Sequence, residues 1–86
     1  MLYREQGRYA DAEPAAVRSL AIRERVLGPD HSHVANSLHS LALLRREQGR
    51  SAEARPLLER CLAIRDATLG NDHSDTIAVR TALAEF

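Results

Sequence analysis

Leu27-Gly28-Pro29-Asp30-His31-Ser32 returns forty-two residues later as Leu69-Gly70-Asn71-Asp72-His73-Ser74. Two further strings keep the same offset. Arg4-Glu5-Gln6-Gly7-Arg8 recurs as Arg46-Glu47-Gln48-Gly49-Arg50, and Leu20-Ala21-Ile22-Arg23 recurs as Leu62-Ala63-Ile64-Arg65. Roughly half of the overlapped positions are identical. Self-similarity at a fixed period in this range is the signature of stacked supersecondary units, each too small to bury its apolar face alone. The 86 residues hold about two such periods. They divide into units over 1–28 and 29–70 and a partial unit over 71–86, in a single domain.

Within each unit the apolar residues fall at helical spacing. Val34, Leu38, Leu41, Ala42 and Leu44 form one stripe, and Ala54, Leu57, Leu58, Cys61, Leu62, Ile64 and Leu69 form the next. Gly49 and Gly70 stand where these stripes stop, as glycine does when it closes a helix in the left-handed conformation. Neither stripe alternates with period two, so the chain reads as all-α. The spacing predicts helices over 1–6, 9–27, 32–48, 51–69 and 74–86. At the helix starts, Asp30 and Asp72 or Ser32 and Ser74 are the expected acceptors for the first free amides, and Asp72 with Asp75 resembles a capping box. Pro14 and Pro56 fall inside the second helix of each unit. Because a proline there costs an interior hydrogen bond, a late-starting or kinked first turn is expected.

Composition narrows the function. Twelve basic residues, all arginine, balance twelve acidic ones. Zero net charge removes the electrostatic footprint of a nucleic-acid or membrane-surface binder. No run is long and apolar enough to span a bilayer or act as a signal peptide, so a cytoplasmic location is expected. Aromatic residues are only 3% of the chain, which leaves Leu, Ala, Ile and Val to build the core.

The pattern Leu38-x-x-Leu41-Ala42, Gln48-Gly49-Arg50, Ala52-x-Ala54-x-Pro56-x-Leu58 and Leu62-Ala63-Ile64-Arg65 resembles a tetratricopeptide repeat. Its long period and Leu-Gly-x-Asp-His junction are similar to the repeats of kinesin light chains and their bacterial relatives. The resemblance implies an α-solenoid of antiparallel helix pairs, A and B, about two repeats with half-repeats at the ends. It also implies a concave face lined by A helices, and a non-catalytic role in binding proteins. Some positions depart from the family pattern. Arg45 replaces a tyrosine present one unit earlier as Tyr3, Arg80 takes the place of Leu38, and His39-Ser40 and Thr81-Ala82 stand where a double asparagine is common.

No catalytic constellation, cofactor motif or metal-ligand spacing emerges. Cys61 falls where the repeat calls for a small packing residue. His31 and His73 belong to the repeated junction, and His31 and His33 point to different faces of a helix. The candidate site is therefore the groove. With Leu38, Leu41 and Ala42 on the packing face, helical geometry turns Asn36, His39, Leu43 and Arg46 to the concave side. Arg4 joins from the preceding A helix, and Ala78, Thr81 and Glu85 from the following one. Arginines and an asparagine are good donors for a carboxylate, so the expected ligand is an acidic peptide. The competing reading of Arg4 and Arg46 is that they pair with Glu5 and Glu47 at the helix end. The alternative function is structural: a self-associating fragment of a longer array, since repeat proteins need about three units and polar caps to stand alone. In that reading Leu2, Tyr3, Leu83 and Phe86 are the contact residues of a homo-oligomer, forming a head-to-tail filament or a closed dimer.

Overall fold

The computed structural model describes residues 9–85, with side chains from Ala12 onward. Four helices follow in order: α1 (Tyr9–Leu27), α2 (Ser32–Glu47), α3 (Ser51–Leu69) and α4 (Ser74–Ala84). Connections of three or four residues force each helix to double back on the last, and the packing is sequential, α1 on α2, α2 on α3, α3 on α4. No strand occurs among the described residues. The spacing thus placed α1 and α3 at their observed bounds, and α2 and α4 end one and two residues early. The helix expected over 1–6 lies outside the described residues.

The core sits where α2 meets its two neighbours. Val34, Ala35, Leu38 and Ala42 of α2 meet Ala54, Leu58, Cys61 and Ile64 of α3, and Val79 of α4 completes the cluster. Leu41 is buried with them. Leu20, Leu57, Leu62, Ala82 and Leu83 pack around the margin. Aliphatic side chains at helical spacing on both sides supply the interdigitating layer that a chain so poor in aromatics must use.

The helix starts differ from expectation. His31 caps α2 and His73 caps α4. Each holds an extended backbone, and its imidazole Nδ1 accepts the backbone N–H two residues on, His33 and Asp75, at 3.0 Å. The acceptor is thus neither an aspartate nor a serine, and the Asp72–Asp75 box is not formed, because the cap lies one residue after Asp72. An unprotonated imidazole nitrogen does the work of a carboxylate or hydroxyl oxygen.

Pro14 and Pro56 sit in the sixth position of α1 and α3, and both helices run through them without a late start. Pro56 and Ala52 are exposed, so the Ala52 carbonyl, which loses its amide partner, faces water.

Gly49 shows why the turn between α2 and α3 is so short. Its φ of +80° allows its own N–H to reach the Arg46 carbonyl at 3.0 Å while the Arg50 N–H returns to the Arg45 carbonyl at 2.8 Å. This pair of bonds satisfies two carbonyls that the helix end leaves open. A Cβ at Gly49 would touch nothing within 4 Å. Only the backbone conformation resists a side chain there. Gly49→Ala is expected to cost about 1 kcal/mol of stability through that conformation, read as a lowered urea midpoint with an unchanged slope.

Candidate functional site

The A-type helices α2 and α4 approach each other at their C-terminal ends, where Arg46 Nη2 and Glu85 Oε1 are 3.6 Å apart. Asn36, His39, Leu43 and Arg46 follow one another along a single stripe of α2. Asn36 and Leu43 are exposed and His39 is half-buried, while Ala78 and Thr81 of α4 are exposed. The structure therefore brings together the α2 residues of the expected groove and links them to α4. Arg4 lies outside the described residues. So do Leu2, Tyr3 and Phe86, three of the four expected self-association residues. The fourth, Leu83, is half-buried against the core cluster.

Two groove residues are less available than the sequence suggested. Asn36 Oδ1 accepts from Arg65 Nη2 at 3.0 Å. Its amide nitrogen remains as the outward donor. Arg46 already faces a carboxylate, that of Glu85.

Arg65 was visible in the repeated Leu-Ala-Ile-Arg string but carried no assigned role. It lies buried at 6% exposure and binds Asn36 of α2 and the Asp75 carbonyl of α4, at 3.2 Å. Its counterpart one unit earlier, Arg23, donates to the His33 carbonyl at 3.1 Å and to Ser37 Oγ at 2.9 Å. His33 and Asp75 are themselves one period apart. The closing arginine of the string thus anchors the first turn of the next A-type helix in both units, and the recurrence of an arginine there was the available signal.

Arg45, which departs from the family's tyrosine, also has a partner. Glu13 of α1 receives Arg45 Nη2 at 3.3 Å and Arg50 Nη1 at 3.1 Å, and Arg50 also grips Glu53 at 2.6 Å. That hydrogen bond holds the Glu53 carboxyl below its usual range. The Arg45 Nε is buried without a hydrogen-bond partner. This network ties the α2–α3 turn to α1, away from the groove.

Cys61 is fully buried, and its Sγ donates to the Ala35 carbonyl at 3.3 Å. Burial pushes the thiol pKa up, with the Arg65 guanidinium pulling weakly the other way. Such a thiol is a poor nucleophile. Among the described residues no group of three or more His, Cys, Asp or Glu side chains is placed to hold a metal ion, and no helix is long and apolar enough to cross a membrane.

Paired helices on a fixed period define a helical-repeat protein. The family model for the tetratricopeptide repeat matches residues 1–67 and, in a second overlapping match, residues 34–85. The chain belongs to the tetratricopeptide repeat family, whose members generally mediate protein–protein interaction without catalysis of their own. No curated protein matches the chain.

Two outcomes follow from the buried groups. Burial lowers the His39 pKa from the ordinary 6.5, the Arg65 guanidinium lowers it further, and Asp75 opposes both. The unfolded chain therefore binds the proton more readily, so the contribution of neutral His39 is intact above the ordinary value and is lost as pH falls through the lowered one. Urea midpoints at about pH 7.5 and about pH 5.5 should show less acid loss in His39→Gln than in the parent. For Cys61→Ala the expected cost is about 1 kcal/mol, a small cavity penalty. A bulky thiol reagent should label native Cys61 only at the rate of unfolding.

Proposed function

We propose that the chain is a non-catalytic interaction module that binds a peptide segment along the α2 stripe, with acidic peptides preferred. The single observation that carries this reading is the Arg46–Glu85 pair. An exposed arginine in the expected groove is held at 3.6 Å by a carboxylate that is itself exposed. Such a pair is weak in water, contributing at most about 1 kcal/mol. A peptide that gives Arg46 a carboxylate, lies on the apolar flank of Leu43 and offers a second polar group to the Asn36 amide about 15 Å up the helix competes with Glu85 on favourable terms. Asn36, held from behind by Arg65, is ordered before the peptide arrives, which lowers the entropic cost of binding. His39 and Thr81 lie beside this path.

The 42-residue offset of the strings supports assignment to the long, kinesin-light-chain-like type of repeat. The arginine anchors keep the same offset. Arg23 and Arg65 act one period apart on His33 and Asp75.

A titration with paired peptides differing only in Glu against Gln tests the reading. Arg46→Ala should weaken the acidic peptide about tenfold, the loss of one charge-assisted contact, and leave the helical content unchanged. The parent's preference should shrink at high salt, since the pair is solvent-facing. Glu85→Gln should strengthen binding by removing a carboxylate that competes for Arg46. Equal affinity for the two peptides would count against the acidic preference, and absence of binding by either would count against the groove.

A further inference from the structure

The repeat permits a comparison inside the chain: each residue of α1 has a counterpart on α3 forty-two positions on. On α3, Ala54, Leu58, Cys61 and Ile64 are all buried, covered by α2. Their counterparts on α1 are Ala12, Ala16, Ser19 and Ile22, and among the described residues no helix covers that face. Ile22 is 49% exposed where Ile64 is 3%, and Val26, one turn further, is 72% exposed. A shallow pocket of about 310 Å³ lies there, lined by Ala15, Arg18, Ser19, Ile22 and Arg23.

The polar groups of the same face have counterparts too. Arg60 on α3 reaches back one unit, pairing with Glu24 of α1 and donating to the Pro29 carbonyl at 3.3 Å. Arg18 occupies the position of Arg60 one period earlier, and it has no acceptor among the described residues. Glu24 and Pro29 also have counterparts one period later, Asp66 and Asn71. At the α4 end these two stand exposed. Both are occupied by Arg80, which donates to the Asn71 carbonyl at 3.0 Å and lies 3.8 Å from Asp66. Arg80 stands where the preceding unit has the buried Leu38, and Ile77, at the place of buried Ala35, is 43% exposed. At one end Arg18 is a donor without acceptors among the described residues, and the other end carries the matching acceptors held by a makeshift donor.

We propose that the α4 end of one copy docks on the open face of α1 in a second copy, repeating between molecules the packing of α2 on α3 and the contact of Arg60 with the preceding unit. Arg18 of the second copy takes Asp66 and the Asn71 carbonyl in place of Arg80. Ile77 covers Ser19 and Ile22. Bulk is complementary along the contact: Ile77 replaces Ala35 where Ser19 replaces Cys61, and Arg80 replaces Leu38 where Ala16 replaces Leu58. The two surfaces differ, so the contact is heterologous and leaves a free end on each assembly. Arg80 acts as an internal competitor that holds the association in check. This surface adjoins the N-terminal end of the α2 stripe, where Asn36 shares a pocket with Ala16 and Ser19, and Arg46 at the other end of α2 is not among its residues.

Sedimentation velocity on the full chain, from about 10 µM to about 1 mM, tests the proposal. The weight-average mass should rise with concentration past that of a dimer. Arg18→Glu and Asp66→Arg should each weaken association about tenfold or more, as expected for one member of a desolvated charge pair. Both sites are exposed, and circular dichroism should show both variants folded. An equimolar mixture of the two variants should regain the mass that each has lost, because the carboxylate introduced on α1 of one meets the guanidinium introduced on α3 of the other. Arg80→Ala should strengthen association by vacating the acceptors. A chain that stays monomeric across the range overturns the proposal and assigns these faces to another protein or to another segment of a longer chain. Association that stops at a dimer, or that ignores Arg18 and Asp66, overturns it in favour of a closed two-fold contact elsewhere. Loss of peptide binding by Arg46→Ala bears on the groove alone.

Discussion

Arg65 is the joint on which this small solenoid turns. A guanidinium at 6% exposure is costly to bury unless its donors are met, and here Asn36 of α2 and the Asp75 carbonyl of α4 meet it from two sides. The backbone of the same residue contributes as well, since its carbonyl accepts from Thr76 Oγ1 at 3.4 Å. Three helices are therefore fixed relative to one another at a single position. The interaction is angular as well as attractive, because a planar fork offers its hydrogens in set directions. Apolar contact alone would let α4 slide along α3. Arg23 performs the same task between α1 and α2 with a serine hydroxyl and a carbonyl, so the spacing between units is held by arginine while the apolar residues supply the driving force.

An all-arginine basic set has a simple source in base composition, yet the fold uses what lysine lacks. Arg23, Arg60, Arg65 and Arg80 each engage two acceptors, and at least one of each pair is a backbone carbonyl or side-chain oxygen on another element. A lysine ammonium is a compact point charge and bridges such acceptors less rigidly. In a chain with one phenylalanine and no tryptophan, where large rigid rings cannot lock helix against helix, the forks take over that orienting role.

The helices were legible because their signals are local: a stripe at helical spacing and a glycine that only the left-handed region explains. Gly49 is the clearest case, since its positive φ closes the turn and nothing else near it matters. The caps were not legible. Aspartate and serine flank both histidines, and all three residue types recur at the junction, so the backbone geometry alone decides that Nδ1 of His31 and His73 is the acceptor. The absence of a late start at the prolines was hidden for a similar reason. Part of the penalty for an interior proline is the carbonyl left without its amide, and whether water can reach that carbonyl at Ala52 is a tertiary fact. That Asn36, His39, Leu43 and Arg46 share one stripe of α2 followed from periodicity, but their partners did not. Asn36 binds Arg65 and Arg46 binds Glu85 across 29 and 39 positions of chain, which no local spacing reveals. Arg45 looked like a defect in the repeat until Glu13 appeared opposite it.

These pairings bear on how such a surface selects. A free guanidinium attracts any anion, whereas one already held by a carboxylate binds only what improves on that carboxylate. Arg46 with Glu85 and Arg80 with Asp66 are both solvent-facing pairs at the long end of the ion-pair range, 3.6 and 3.8 Å, and such pairs are worth little net energy. Their value lies in the comparison they impose. A ligand must bring a carboxylate and a second contact together, such as the Asn36 amide or an apolar flank, before exchange becomes favourable. On the proposed reading, the weak pairs at Arg46 and Arg80 turn these two arginines from general anion attractors into positions that respond to shape and charge at once.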